Sequence, residues 1–136
     1  MPCLSGKFNP AIGILINIGV LPANTATPTI TQFHMFPALL DTGASITCIS
    51  LSVVQALNLV PIGMRPMVSA THAVPVNQYL VDLIFPFGSV IYIMSAMQVM
   101  EFVATNTTPF QILLGRDIIC KGILTMSFDG HFTFSL

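Results

Sequence analysis

Short runs of β-branched and aromatic residues, cut apart by Pro, Gly and Asn, dominate this chain. Ten prolines and nine glycines are spread through 136 residues. Runs of this kind suit a pleated, half-buried surface, and their close spacing reads as an all-β protein. Strands are expected over 11–20, over 30–40 and from residue 46 to 50. Residues 67–85 read as two strands around a turn near Ala70-Thr71-His72, and 89–103 as one or two more. Residues 111–114 form an apolar segment that stops at Gly115. The runs 123–128 and 131–134 flank Asp129-Gly130, a strong hairpin signal. Two short helices are expected: 51–57, capped by Ser50 or Ser52, and 118–121, with Asp117 as N-cap and Gly122 as its end.

Charged residues make up only 7% of the sequence and hydrophobic residues 54%. That composition excludes disorder. With four basic residues and a net charge of −1, no patch can grip a phosphate backbone, so nucleic acid is not an expected partner. A chain of this length suits one domain spanning 1–136. Its scarce charge implies that some apolar surface is covered by another chain.

Two stretches imitate other architectures. Residues 83–100 carry no charge and reach the lower limit for a spanning helix. Pro86, Gly88 and Gln98 interrupt them, with Asp82 and Glu101 at the ends, so a strand pair is the better reading and no membrane partner is expected. Residues 11–21 follow Lys7 and imitate a signal peptide. Pro10, Gly13, Asn17 and Gly19 break them, and a strand is the reading preferred. Cys3, Cys48 and Cys120 form no C-x-x-C pair, which fits a reducing, cytoplasmic setting. Cys48 and Cys120 lie in apolar runs, where a thiol acts as a small hydrophobe.

The stretch "FPALLDTGASITCIS" poses the chemical question. Asp41 follows four residues suited to a core, with Ile46 and Ile49 close behind. An unpaired buried carboxylate neutralises or finds a partner. Asp41 therefore sits at a loop mouth or has unusual support.

Two segments in this order, "ALLDTGASIT" and, about 70 residues later, "ILLGRDII", resemble the retroviral-type (retropepsin-like) aspartic proteases. The resemblance extends over 8–136, at the level of pattern outside those segments. It implies a closed β-barrel or sandwich with a flap hairpin and one short C-terminal helix, active as a two-fold homodimer. It also implies an aspartic endopeptidase acting on peptide or protein, with no cofactor. Hydrolysis by water needs a base for the water and an acid for the carbonyl oxygen. Two carboxylates about 3 Å apart share one proton and supply both. The sequence holds one Asp-Thr-Gly, so the second carboxylate is expected from Asp41 of another subunit.

The resemblance assigns further roles. Asp41 is catalytic. Thr42 forms a hydroxyl network with its mate across the dimer axis, and Gly43 allows close backbone approach. Ala44 and Ser45 lie along the substrate backbone. Related enzymes often carry an acid where Ser45 stands, paired with the arginine matching Arg116. Here that partner is open between Asp117, Asp129 and a residue of the other subunit. Leu113-Leu114-Gly115 packs behind the catalytic loop, with Leu113 either lining a pocket or in the core. The flap is expected over 67–79, with a glycine-free tip near 69–73 that brings Thr71 and His72 to the substrate. His34 and His131 read as strand residues, and no His/Cys/Asp cluster has metal-ligand spacing. The apolar "HFTFSL" is expected in an intersubunit sheet. Two rivals stand beside this reading: a catalytically idle peptide-binding or dimerisation module of the same fold, and a membrane-embedded or periplasmic β protein without catalysis.

Overall fold

The computed structural model describes residues 2–23, 34–68 and 71–136. Ten strands and two short helices follow one another in these residues. They are β1 (Cys3–Lys7), β2 (Ile14–Pro22), β3 (His34–Leu40), β4 (Cys48–Ser50), α1 (Leu51–Ala56), β5 (Gly63–Val68), β6 (Ala73–Phe87), β7 (Val90–Phe102), β8 (Ile112–Leu114), α2 (Arg116–Ile119), β9 (Ile123–Met126) and β10 (His131–Ser135).

Six strands close into a barrel. The hydrogen-bonded order is β2-β3-β8-β4-β7-β6, and β6 returns to β2 through Gly19–Pro22 against Val81–Ile84. Closure removes the exposed edges of an open sheet. β5 lies outside the ring, paired only with β6. The alternation of β2 explains its place: Ile14, Ile16, Ile18 and Val20 all turn inward and are buried. They meet Val81, Leu83 and Phe85 of β6, Val99 of β7, and Ile112 and Leu114 of β8 in one apolar core.

The three-residue β8 matters most for the site. It pairs parallel with the end of β3, Ala38–Leu40 against Ile112–Leu114, and antiparallel with β4. The residues that follow β3 and β8 are therefore side by side at one end of the barrel. A second sheet of order β1-β10-β9 packs Phe132 and Phe134 onto the core.

Several expectations shift. The first strand begins at Ile14 because Asn9 holds a turn: its carbonyl accepts from the amides of Ile12 and Gly13, and its side chain from that of Ala11. The segment Cys3–Lys7, unassigned from sequence, is a strand. The second expected strand is seen from His34 onward, and residues 30–33 lie outside those described. Residues 83–100 are a strand pair turning at Gly88, whose φ of +64° suits glycine. Among the described residues no helix is long and apolar enough to cross a membrane. Asp82 does not close a segment but lies inside β6, at a register shift. There its carboxylate accepts from the amide of Ala96, a bulged residue with φ of +56°.

Of the two helix caps, Ser50 behaves as expected: its Oγ accepts from the amide of Val53 and donates to Gln111 Oε1 at 2.6 Å. Asp117 does not cap. α2 begins two residues earlier, with Gly115 as N-cap and no side-chain cap bond, and Asp117 lies within its first turn. Cys120 is exposed and not part of the core. "HFTFSL" supplies the middle strand of its sheet, with β1 and β9 of the same chain on either side.

Candidate active site

Asp41 stands directly after β3, where the chain leaves the barrel. Its amide donates to the Leu114 carbonyl at 2.9 Å, one step beyond the β3–β8 ladder. Its Oδ1 accepts from the amide of Gly43 at 2.9 Å, and its carbonyl from Ala44 at 3.2 Å. The side chain is half-buried. The lone carboxylate is thus a loop-mouth group supported by backbone and not an orphan in the core.

The loop over 41–47 is gripped by consecutive residues of the β8–α2 segment. Leu114 takes the Asp41 amide. The Arg116 amide donates to the Ala44 carbonyl at 2.8 Å, and Arg116 Nη1 to the Thr42 carbonyl at 2.9 Å. The Asp117 carboxylate receives the hydroxyl and the amide of Thr47, at 2.7 and 3.0 Å. Gly115 lies so close to the loop that a Cβ there would meet the Ile46 carbonyl carbon at 2.7 Å. Only glycine admits that approach.

Among the described residues, the Arg116 side chain therefore finds a carbonyl as its partner. Of the three candidate partners, Asp117 is engaged by Thr47, and Asp129 by Ser127 and His131 in the β9–β10 turn.

A cavity of about 610 Å³ opens against the loop that follows Asp41, from Gly43 onward. Gly43, Ala44 and Ser45 form one wall, and Pro66, Met67 and Val68 of β5 another. Cys48, Met100, Phe102, Phe110 and Leu113 fill in the floor and far side, where Phe102 and Phe110 are a tilted pair with centroids 5.9 Å apart. Among the described residues that line it, no side chain is charged. Cys48 has a thiol pushed up to about 11 by burial first, then by the negative charges of Asp117 and Asp41. It is a neutral wall group and not a nucleophile.

Of the residues singled out from sequence, Gly43, Ala44, Ser45 and Leu113 come together on this cavity, with Asp41 and Thr42 adjoining it in the chain. Thr71 and His72 do not line it. They are exposed at the β5–β6 connection, and residues 69–70 of the expected tip lie outside those described. The flap hairpin itself starts earlier than expected, at Gly63. Met100, Phe102 and Phe110 went unnoticed, since nothing distinguishes an apolar cavity wall from core in sequence. The signal for Phe110 was its place just before the Leu-Leu-Gly segment.

The other four carboxylates are committed. Asp82 holds the Ala96 amide, Glu101 accepts from the Tyr79 hydroxyl at 2.8 Å, and Asp117 and Asp129 are bound as above. Asp41 carries the Gly43 amide on its carboxylate and is the acidic residue nearest in the chain to the cavity-lining stretch Gly43–Ser45.

A family model described as aspartyl protease matches residues 29–118, which hold the first motif, all but the last residue of the second, and the loop they build. The chain belongs to the aspartyl protease family. The protease has the retropepsin-like fold: it aligns with the crystal structure of a retropepsin-like aspartic protease from Rickettsia conorii at a TM-score of 0.65. That alignment covers 97% of this chain and 89% of the other, at 12% identity, so it speaks for the fold alone. No curated protein matches the protease sequence.

Proposed function

We propose that this protease is an endopeptidase working as a two-fold homodimer, with Asp41 of each subunit forming the catalytic pair. The observation that carries the reading is that Asp41 adjoins the cavity-lining stretch Gly43–Ser45, while no other carboxylate is among the described lining residues. Asp82, Glu101, Asp117 and Asp129 are bonded elsewhere in the fold, which supports a second acid supplied by another copy.

In such a pair one carboxylate is ionised and takes a proton from the attacking water. The other is protonated and donates to the scissile carbonyl oxygen as the tetrahedral intermediate forms. The carbonyl carbon gains the water oxygen, and later collapse expels the amine, which leaves protonated. Thr42 and Gly43 are exposed beside Asp41, which leaves them open to a facing copy and to a peptide backbone. The uncharged cavity accepts an apolar side chain of the peptide at little desolvation cost.

Digestion of a mixed peptide library, read by mass spectrometry with and without a statine-type inhibitor, tests the reading. Inhibitor-sensitive cleavage supports it. A soluble, dimeric wild-type protein that cleaves nothing turns the assignment toward the idle module of the same fold.

A further inference from the structure

Asp117 takes no part in the chemistry above, yet its carboxylate is spent on one residue of the catalytic loop. Oδ1 accepts from the Thr47 hydroxyl at 2.7 Å and Oδ2 from the Thr47 amide at 3.0 Å. Thr47 is fully buried. Its oxygen also accepts from the Gly115 amide at 3.1 Å. An amide can only donate and an ionised carboxylate can only accept, so the direction of each bond is fixed.

This arrangement ties the two ends of the loop to one short stretch of chain. Asp41, at the start, is held by the Leu114 carbonyl, and Thr47, at the end, by Gly115 and Asp117. A helix-capping role does not explain Asp117, since α2 has its N-cap at Gly115 and no side-chain cap bond. Bonds to an ionised carboxylate are short, strong and directional, which suits a part that must not drift.

We propose that Asp117 is a positioning residue for the reaction: through Thr47 it fixes the loop that presents Asp41, and its loss slows turnover of bound substrate more than it weakens binding. The inference rests on the reading of Asp41 as the catalytic acid and base. Small displacements of a reacting group cost far more in rate than in affinity, because the transition state needs alignment that the ground-state complex does not. Asp41 touches the substrate; Asp117 acts only by holding the loop.

The test uses Asp117→Asn, Thr47→Val, the conservative Thr47→Ser and the double variant Asp117→Asn/Thr47→Val. Active dimers are counted by titration with a tight-binding statine-type inhibitor, and kcat and KM are measured separately. Asp117→Asn and Thr47→Val are each expected to lower kcat by about tenfold or more with KM changed by about twofold or less. Thr47→Ser keeps both bonds and is expected to rescue the rate. The double variant is expected to lose less than the product of the two single losses, since the Thr47 hydroxyl bond to Asp117 is common to both changes.

Wild-type kcat in folded Asp117→Asn dimers overturns the proposal, as does a Thr47→Ser variant as slow as Thr47→Val. If Asp117→Asn does not fold, Thr47→Val against Thr47→Ser decides alone. Amide hydrogen exchange separates this inference from the one beneath it. A wild-type protein without cleavage overturns the Asp41 reading. In that case, faster exchange at the Thr47 and Gly115 amides of Asp117→Asn upholds the bracing of the loop, and unchanged exchange overturns it too.

Discussion

Arg116 Nη1 donates to the Thr42 carbonyl oxygen at 2.9 Å, and the Arg116 amide donates to the Ala44 carbonyl at 2.8 Å, so one residue spans the catalytic loop on both sides of Gly43. The side chain is exposed, and only the first of these bonds depends on it. Arg116→Ala is expected to cost about 1 kcal/mol of stability, the usual net value of one hydrogen bond, with a larger proportional loss of turnover. Thermal unfolding and kcat on the same preparation check this. A fall in melting temperature with unchanged kcat would make Arg116 a stabiliser of the loop and no more.

Asp41→Asn preserves size and the bond from the Gly43 amide while removing acid–base capacity. In a homodimer the change removes both carboxylates together. Nearly all turnover is expected to vanish while the dimer persists, since neutral amides relieve the repulsion between like charges at the axis. Peptide cleavage and sedimentation report on the two halves. Wild-type cleavage by the variant would remove Asp41 from the chemistry, and a monomeric variant would make its role structural.

Because the proposed pair takes one Asp41 carboxylate from each chain, specific activity should fall on dilution through the dimer dissociation constant. Activity and mass measured over the same concentration series are expected to change together. A monomer with full specific activity would sink the shared-pair mechanism.

The Cys48 thiol, raised from 9.0 to about 11, gives a pH effect of definite sign. Below pH 9 the thiol is protonated in both folded and unfolded chains, and its contribution is fully present. Between pH 9 and 11 the unfolded chain gives up a proton that the folded chain keeps, so stability declines as pH rises. Tyr79, raised to about 12 by burial and its bond to Glu101, extends the decline to higher pH. Denaturant midpoints at a series of alkaline pH values should fall, and Cys48→Ala should flatten the part between pH 9 and 11. Alkylation should mark Cys3 and Cys120 well before Cys48.

What could be read from the sequence was what is local in it. Asp41-Thr42-Gly43, the Gly115 stop, the Ser50 cap and the Asp129-Gly130 turn each declare themselves within a few residues, because turns and caps are decided by neighbours. Asp117 was misread for the same reason. Its position beside an apolar run suits an N-cap, while the partner that wins it, Thr47, lies 70 positions away. β1 escaped notice because Cys-Leu-Ser-Gly-Lys has too little apolar alternation to mark a strand. It pairs because β10 presents an edge to it. The cavity walls at Met100, Phe102 and Phe110 carry the same residue types as the core, so only the fold tells them apart.

The place of β8 in the ring has a consequence for the order of events during synthesis. Its pairing with β3 joins Ala38–Leu40 to Ile112–Leu114, so the barrel closes around a long intervening loop whose entropy must be overcome first. On a ribosome, residues 41–47 emerge long before the segment that grips them. A nascent or prematurely terminated chain lacking residues 112–117 carries the Asp-Thr-Gly motif without the grip that shapes it. The shape of the 41–47 loop therefore belongs only to chains that already include residues 112–117.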